Sequence, residues 1–82
     1  MLLVIDVGNT HTVAGIYRGS ELLVHWRVTT QTGRTSDEFG VLLRELFRNQ
    51  KIEMNEVQAV TVSCVVPPLL PVLEEVCQRF FG

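Results

Sequence analysis

The stretch Val4-Ile-Asp-Val-Gly-Asn-Thr-His-Thr12 (VIDVGNTHT) joins an apolar run to a carboxylate and a turn, and the rest of the predicted sheet is built around it. The run from Leu2 to Val7 is interrupted only by Asp6, a pattern typical of a central strand buried on both faces. Gly8 and Asn9 tolerate a positive φ, so we expect a tight turn after the strand. A carboxylate at the inner end of such a strand is costly unless it is paired, hydrogen-bonded or metal-bound.

Two further strands are predicted after this turn. Residues 12–17 are rich in β-formers, and residues 22–28 alternate between two faces. We expect the second face of this third strand, which includes His25, to meet solvent. Because tight turns join the three strands, they should form an antiparallel meander. The predicted buried face of the third strand consists of Leu22, Val24, Trp26 and Val28.

The second half of the chain predicts two helices and a strand. Thr35 and Glu38 have the spacing of a capping box, and Asp37 suits the positive end of a helix that ends near residues 49–51. Residues 57–63 have strand composition and should pair parallel to an earlier strand. Prolines 67 and 68 then open a second helix. The apolar residues at helical spacing are Phe39, Leu42, Leu43, Leu46 and Phe47 in the first helix, and Leu70, Leu73, Val76, Cys77 and Phe80 in the second.

The order β-β-β-α-β-α predicts an α/β fold with a mixed sheet. A crossover helix usually delivers the chain to another parallel strand, so the pattern suggests a fragment of a larger α/β protein. The 82 residues allow one small core. The net charge is −2 and no Lys/Arg cluster occurs, which argues against nucleic-acid binding.

Cysteine usage and the N-terminus favour a cytoplasmic protein. Cys64 and Cys77 lie in apolar runs and are interpreted as buried free thiols in a reducing compartment. The first residues have no basic region of the kind that begins a signal peptide. No apolar run approaches the roughly 20 residues that a membrane span requires.

Residues 6–12 (DVGNTHT) have the chemistry of a phosphate site. Gly8 allows another group to approach the backbone closely, Thr10 and Thr12 supply hydroxyl donors, and Asp6 could hold a hydrated Mg²⁺. The alternative is a hairpin turn whose Asp and Thr side chains only satisfy local amides. Residue spacing leaves both interpretations open.

Other polar residues give weaker indications. His11 could contact phosphate or carry a proton, although a histidine on the rim of the sheet is the favoured interpretation. Arg27 and Arg34 bracket a polar loop and could bind an anion, but solvated charge is more common. Ser63 ends a strand at the edge where α/β sheets bind ligands. No base is placed beside Ser63 or Cys64, so neither is predicted to be a nucleophile.

Three segments together resemble the type III pantothenate kinase family: DVGNTHT at 6–12, RTSDE at 34–38 and VSCVVPP at 62–68. The resemblance covers essentially all 82 residues but only the front part of the family's chain. Cys64 stands where the family often has Ser. The resemblance implies a ribonuclease H-like, actin-like ATPase fold. Residues 1–82 would then be a truncated first half-domain of that fold, with the second half-domain absent.

The resemblance also implies an activity. The family uses ATP to phosphorylate pantothenate to 4′-phosphopantothenate, the first step of coenzyme A synthesis. It implies Mg²⁺, a monovalent cation such as K⁺ or NH4⁺, and a homodimer. Asp6 would lie near the metal and would contact it through water. The ATP- and phosphate-binding segment would be Asp6, Val7, Gly8, Asn9, Thr10, His11, Thr12 and Val13.

The same resemblance places part of the machinery elsewhere. The general base that the resemblance implies would be the Asp of a later Gly-x-Asp-Arg segment, beyond the end of this chain, so no catalytic residue is assigned within it. We therefore expect the 82 residues alone not to be a competent kinase. One alternative is a non-catalytic nucleotide-binding regulator of the transcription accessory factor type. Another is an α/β interaction module in which the first turn binds nothing.

Overall fold

A computed structural model describes all 82 residues and contains one four-stranded mixed sheet. The second strand lies between the first and the third in an antiparallel meander, and the fourth strand pairs parallel to the first on its other side. This confirms the predicted α/β class and element order. The elements are β1 (Leu2–Val7), β2 (His11–Arg18), β3 (Glu21–Thr29), α1 (Ser36–Asn49), β4 (Ala59–Cys64) and α2 (Leu70–Phe81).

Both helices pack on one face of the sheet, which we call the covered face; the other is the open face. Along β1, Leu3 and Ile5 are fully buried toward the helices, whereas Val4 is half-buried and Asp6 is exposed. The prediction that β1 is buried on both faces was therefore wrong. Continuous apolar composition could not distinguish a strand covered on two faces from one covered on a single face. The core on the covered face comprises Leu3, Ile5, Val7, Ala14, Ile16, Phe39, Leu43, Phe47, Val57, Val66, Leu69, Leu73 and Val76.

A β-bulge in β3 places one side chain on the opposite face of the sheet from the predicted one. Ile16 pairs with Val24 and Tyr17 pairs with Leu22, which leaves Leu23 as an extra residue. The bulge moves Leu22 to the open face, where it is 45% exposed, so its predicted place on the buried face was wrong. Trp26 remains on the covered face and stacks on Phe47, with 5.5 Å between ring centroids.

Helix α1 begins and ends with local hydrogen-bond motifs. The Thr35 hydroxyl accepts from the Glu38 amide, and the Glu38 carboxylate accepts from the Thr35 amide, so the predicted capping box is confirmed. At the other end, the Ile52 amide donates to the Phe47 carbonyl at 3.1 Å, as in a Schellman motif. Lys51 occupies the left-handed position of that motif, with a φ of 58°.

The two helices approach each other closely at a glycine. A Cβ placed on Gly40 would lie 2.2 Å from the Phe80 ring, so only glycine fits without movement of that ring. Next to this contact, the Arg79 guanidinium donates to the Asp37 carboxylate at 2.6 Å and lies 3.4 Å from Glu75. Both carboxylates raise the pKa of Arg79, with Asp37 the larger cause.

Neither helix has the length and apolar character needed to cross a bilayer.

Prolines 67 and 68 lie in a short 3-10 turn, Pro67–Leu69, that leads into α2. The buried stripe of α2 is centred on Leu69, Leu73 and Val76, whereas Leu70 is 43% exposed. Leu70 is one helical step of about 100° from Leu69, which takes it to the edge of the stripe. Its predicted place in the buried face was therefore wrong.

Strand β4 begins at Ala59, two residues later than predicted, because Val57 ends the 3-10 turn Met54–Glu56.

Candidate functional site

Four segments of the chain meet at one edge of the sheet. Strands β1, β3 and β4 all run in the same direction, so their carboxyl ends lie at the edge that also holds the turn between β1 and β2. The Thr30 amide, just after β3, donates to the Thr10 carbonyl at 2.8 Å. The Val65 amide, just after β4, donates to the Val7 carbonyl at 3.0 Å. These hydrogen bonds fix the turn of residues 8–10 against its neighbours.

The turn closes without a left-handed residue. The Gly8 amide donates to the His11 carbonyl at 3.0 Å, and neither Gly8 nor Asn9 has a positive φ. The predicted tight turn is confirmed, although neither residue uses its tolerance of a positive φ. Gly8 is needed for space instead, because a Cβ on it would lie 3.1 Å from the His11 carbonyl oxygen. Asn9 and Thr10 are exposed, and their amides donate no hydrogen bond within the chain.

Asp6 lies on the open face beside this turn. Its neighbours across the sheet are Val13 in β2 and Ser63 in β4. The carboxylate is exposed and forms no salt bridge or hydrogen bond within the chain. The argument that Asp6 is a buried carboxylate in need of a partner was therefore wrong. Its free carboxylate remains accessible to a ligand that reaches this edge.

Thr12 lies on the other side of the sheet from Asp6. It is Cα partner to Val7, faces the helices and is 3% exposed. Its hydroxyl lies 2.8 Å from the Thr30 hydroxyl, which in turn donates to the Gly8 carbonyl at 2.8 Å. A cavity of about 10 Å³ near Thr12 is too small for a ligand.

The structure therefore divides the predicted segment 6–13 into three groups. Asp6, His11 and Val13 belong to the open face, Val7 and Thr12 to the covered face, and residues 8–10 to the turn between the strands. Only the open-face and turn residues are accessible together. A groove of about 330 Å³ runs along the open face from this group. Its lining residues are Val4, Asp6, Val13, Gly15, Tyr17, Leu22 and His25.

The other candidate side chains have no partner that suggests catalysis. His11, His25 and Arg27 are exposed, and the Arg34 guanidinium lies 5.8 Å from the centre of the Phe39 ring. Ser63 is exposed on the open face. No group of three or more His, Cys, Asp or Glu side chains is arranged to hold a metal ion.

Both cysteines are free and half-buried. The Cys64 thiol donates to the Val66 carbonyl at 3.1 Å. Burial, reinforced by the charge of Glu74, raises the pKa of Cys77, so that thiol stays protonated and unreactive near neutral pH. Neither cysteine therefore has the environment of a nucleophile.

Sequence reasoning missed Thr30, which forms two hydrogen bonds to the turn and one to Thr12 in β2. The sequence placed it in a polar loop, and nothing local distinguishes it from Thr29 or Thr32. Its partners are 18 residues away at Thr12 and 22 residues away at Gly8. Only the pairing of β2 with β3 brings these residues together.

Comparisons with known proteins match this chain along its whole length. A relative from Myxococcus xanthus (strain DK1622), named "Type III pantothenate kinase", is 57% identical over 81 residues, which are 99% of this chain and 32% of the relative. Proteins of the same name from Geobacter sulfurreducens and Syntrophus aciditrophicus are 52% and 49% identical, with 100% and 99% of this chain covered and 32% of each relative. The chain thus spans about a third of the length of these relatives.

A protein-family model described as type III pantothenate kinase matches residues 2–82. The matched region includes β1, the turn of residues 8–10 and both helices. Because this match extends over nearly every residue, the chain belongs to the type III pantothenate kinase family.

Proposed function

We propose that this chain is most of the first half-domain of a pantothenate kinase and that its first turn binds the phosphates of ATP. The observation that carries the proposal is the turn of residues 8–10, where the amides of Asn9 and Thr10 lack acceptors beside the free carboxylate of Asp6. Backbone amides at a tight turn suit phosphate oxygens, because they present partial positive charge without a mobile side chain.

The residues of this edge would have distinct roles. The amides of Asn9 and Thr10 would donate to phosphate oxygens, and the Thr10 hydroxyl would add a third donor. Gly8 would let the phosphates approach the backbone closely. The Val7 and Thr12 side chains face the helices, so they would stabilise the turn from the covered face and would not contact the ligand. His11 and Val13 would border the ligand on the open face.

Asp6 fits a magnesium ion held mainly through water. It is an exposed carboxylate, an oxygen ligand of the kind Mg²⁺ prefers, and it has no competing salt bridge. Mg²⁺ usually keeps several waters and takes further ligands from substrate phosphates. The ion would offset the negative charge of the phosphates next to this carboxylate.

The remaining parts of the reaction would come from a longer protein. We propose that the pantothenate pocket, the general base, the K⁺ or NH4⁺ site and the homodimer interface belong to the two-thirds of the family's length that this chain does not represent. The 82 residues alone would then bind phosphate weakly and transfer none. Nothing in this edge of the sheet or in the named relatives favours the alternative of a non-catalytic regulator.

The test joins this chain to the remaining two-thirds of the Myxococcus xanthus relative and measures Mg·ATP binding by titration calorimetry. We expect Asp6→Asn and Thr10→Ala each to weaken binding by about tenfold, the loss of one charge-assisted interaction. Ser20→Ala, in the exposed turn between β2 and β3, is the matched control and should bind normally. Unchanged binding in Asp6→Asn and Thr10→Ala would refute the phosphate site.

The same fusion tests the activity. We expect it to phosphorylate pantothenate, whereas the 82-residue chain alone should not. A fusion that binds Mg·ATP through Asp6 yet phosphorylates nothing would favour the regulator instead.

A further inference from the structure

Thr30 forms three hydrogen bonds to the first turn and its following strand. Its amide donates to the Thr10 carbonyl, and its hydroxyl donates to the Gly8 carbonyl, both at 2.8 Å. A hydroxyl carries one hydrogen, so the 2.8 Å contact between the Thr12 and Thr30 hydroxyls must use the hydrogen of Thr12. Thr30 is therefore fully engaged and has no hydrogen left for a ligand.

Two of these bonds set the direction of amides in the turn. The Gly8 carbonyl and the Asn9 amide belong to one planar trans peptide, so they point in opposite directions. The Thr10 carbonyl and the His11 amide are related in the same way. Because Thr30 holds both carbonyls, it turns the amides of Asn9 and His11 away from itself.

We propose that Thr30 is a positioning residue for phosphate binding. It does not touch the phosphate; it pre-orients the Gly8–Asn9 peptide unit, so that the Asn9 amide is aimed before the ligand arrives. Thr12 supports it by donating to its hydroxyl from a buried position. Binding to amides that are already oriented costs little free energy for reorientation. The affinity for phosphate is therefore higher than it would be for a turn with mobile peptide units. The inference rests on the proposed function, since it assigns a residue to the same site.

A merely structural role would give a different result. If Thr30 only stabilised the end of β3, phosphate affinity of the folded protein would not change when its hydroxyl is removed. The two roles are separated by Thr30→Val, which keeps the shape and the backbone bond but loses both hydroxyl bonds. Thr30→Ser keeps all three hydrogen bonds and should restore binding. Thr29→Val, at the exposed neighbouring position, is the matched control.

The experiment follows the amide resonances of the 82-residue chain by ¹H–¹⁵N NMR during titration with Mg·ATP. We expect Thr30→Val to shift the Asn9 and His11 amides before ligand is added and to weaken the apparent Kd about tenfold. Thr30→Ser and Thr29→Val should stay within about twofold of the unmodified chain. Val76→Ala, which removes a fully buried side chain of α2 and leaves Thr30 intact, should also leave the Kd unchanged.

Each outcome decides the question. Asn9 and His11 resonances that are the same in Thr30→Val as in the unmodified chain would overturn the inference. So would an unchanged Kd, or an equal loss of affinity in Val76→Ala. If the unmodified chain shows no response of the Asn9 and Thr10 amides to Mg·ATP, the phosphate site itself fails and the inference with it. That failure is distinguishable, because it leaves the ligand-free shifts caused by Thr30→Val in place.

Discussion

The two faces of the sheet differ in what covers them more than in composition. On β1, Leu3, Ile5 and Val7 point to the helices and are fully buried, while Val4 on the other face is half-buried. The open face carries the exposed Asp6 and Ser63, next to the turn of residues 8–10. Burial stabilises the covered face, and accessibility makes the open face available to a ligand. Stability and binding should therefore respond to different substitutions on the same strand.

The largest contrast is expected between adjacent residues of β1. Ile5→Ala should lower the free energy of unfolding by about 3 kcal/mol, because it removes fully buried methyl groups and leaves a cavity. Val4→Ala should cost only about 1 kcal/mol, since Val4 keeps part of its surface in water. Urea denaturation measures both. If Ile5→Ala does not fold, Ile5→Val can replace it in the measurement. Equal losses of unfolding free energy at positions 4 and 5 would contradict the difference between the two faces.

The next largest loss of stability is expected from a substitution at the contact between the two helices. Gly40→Ala should lower the free energy of unfolding by about 1–2 kcal/mol, because the new methyl overlaps the Phe80 ring. Alanine favours a helix by about 1 kcal/mol over glycine, which offsets part of the loss. In a Phe80→Ala background the overlap is gone, so Gly40→Ala should become neutral or stabilising. The same cost in both backgrounds would show that Phe80 is not the cause.

The end of α1 offers a stabilising substitution. Lys51→Gly should raise the free energy of unfolding by about 1 kcal/mol, because Lys51 has a φ of 58°, which glycine adopts without a steric cost. Lys51→Ala removes the same charge but keeps the steric cost, so it should leave stability unchanged. Thermal denaturation compares the two, and an equal effect of both would point to charge instead of backbone conformation.

The smallest effect is expected at the start of α1 and depends on pH. The backbone and side-chain hydrogen bonds with Thr35 lower the pKa of Glu38, so its ionised form stabilises the fold. That stabilisation is present above the ordinary pKa of an unfolded-state glutamate and is lost as the pH falls through the lower folded-state pKa. Glu38→Gln keeps a capping side chain that does not titrate. The free energy of unfolding of Glu38→Gln should therefore fall less steeply than that of the unmodified chain between about pH 5 and 3, as measured by urea denaturation at each pH. Parallel curves for the two proteins would contradict the stabilising role of ionised Glu38.

Local patterns predicted most of the elements. The bounds of β1, the Thr35 capping box and the apolar stripe of α1 were confirmed. Each depends on residues within one turn or one strand, where spacing alone carries the information. The phosphate chemistry of residues 6–12 was also suggested by residue types, although the supposed burial of Asp6 was wrong.

Long-range contacts decided the rest. The sequence by itself determined the α/β order, the strands, the helices and the position of the turn after β1. The bulge that turns Leu22 outward and the three bonds from Thr30 depend on the pairing of β2 with β3, and the open face depends on both helices packing on the same side of the sheet. Only the tertiary structure could decide them, because the register of paired strands and the placement of helices on one face are properties of the assembled sheet.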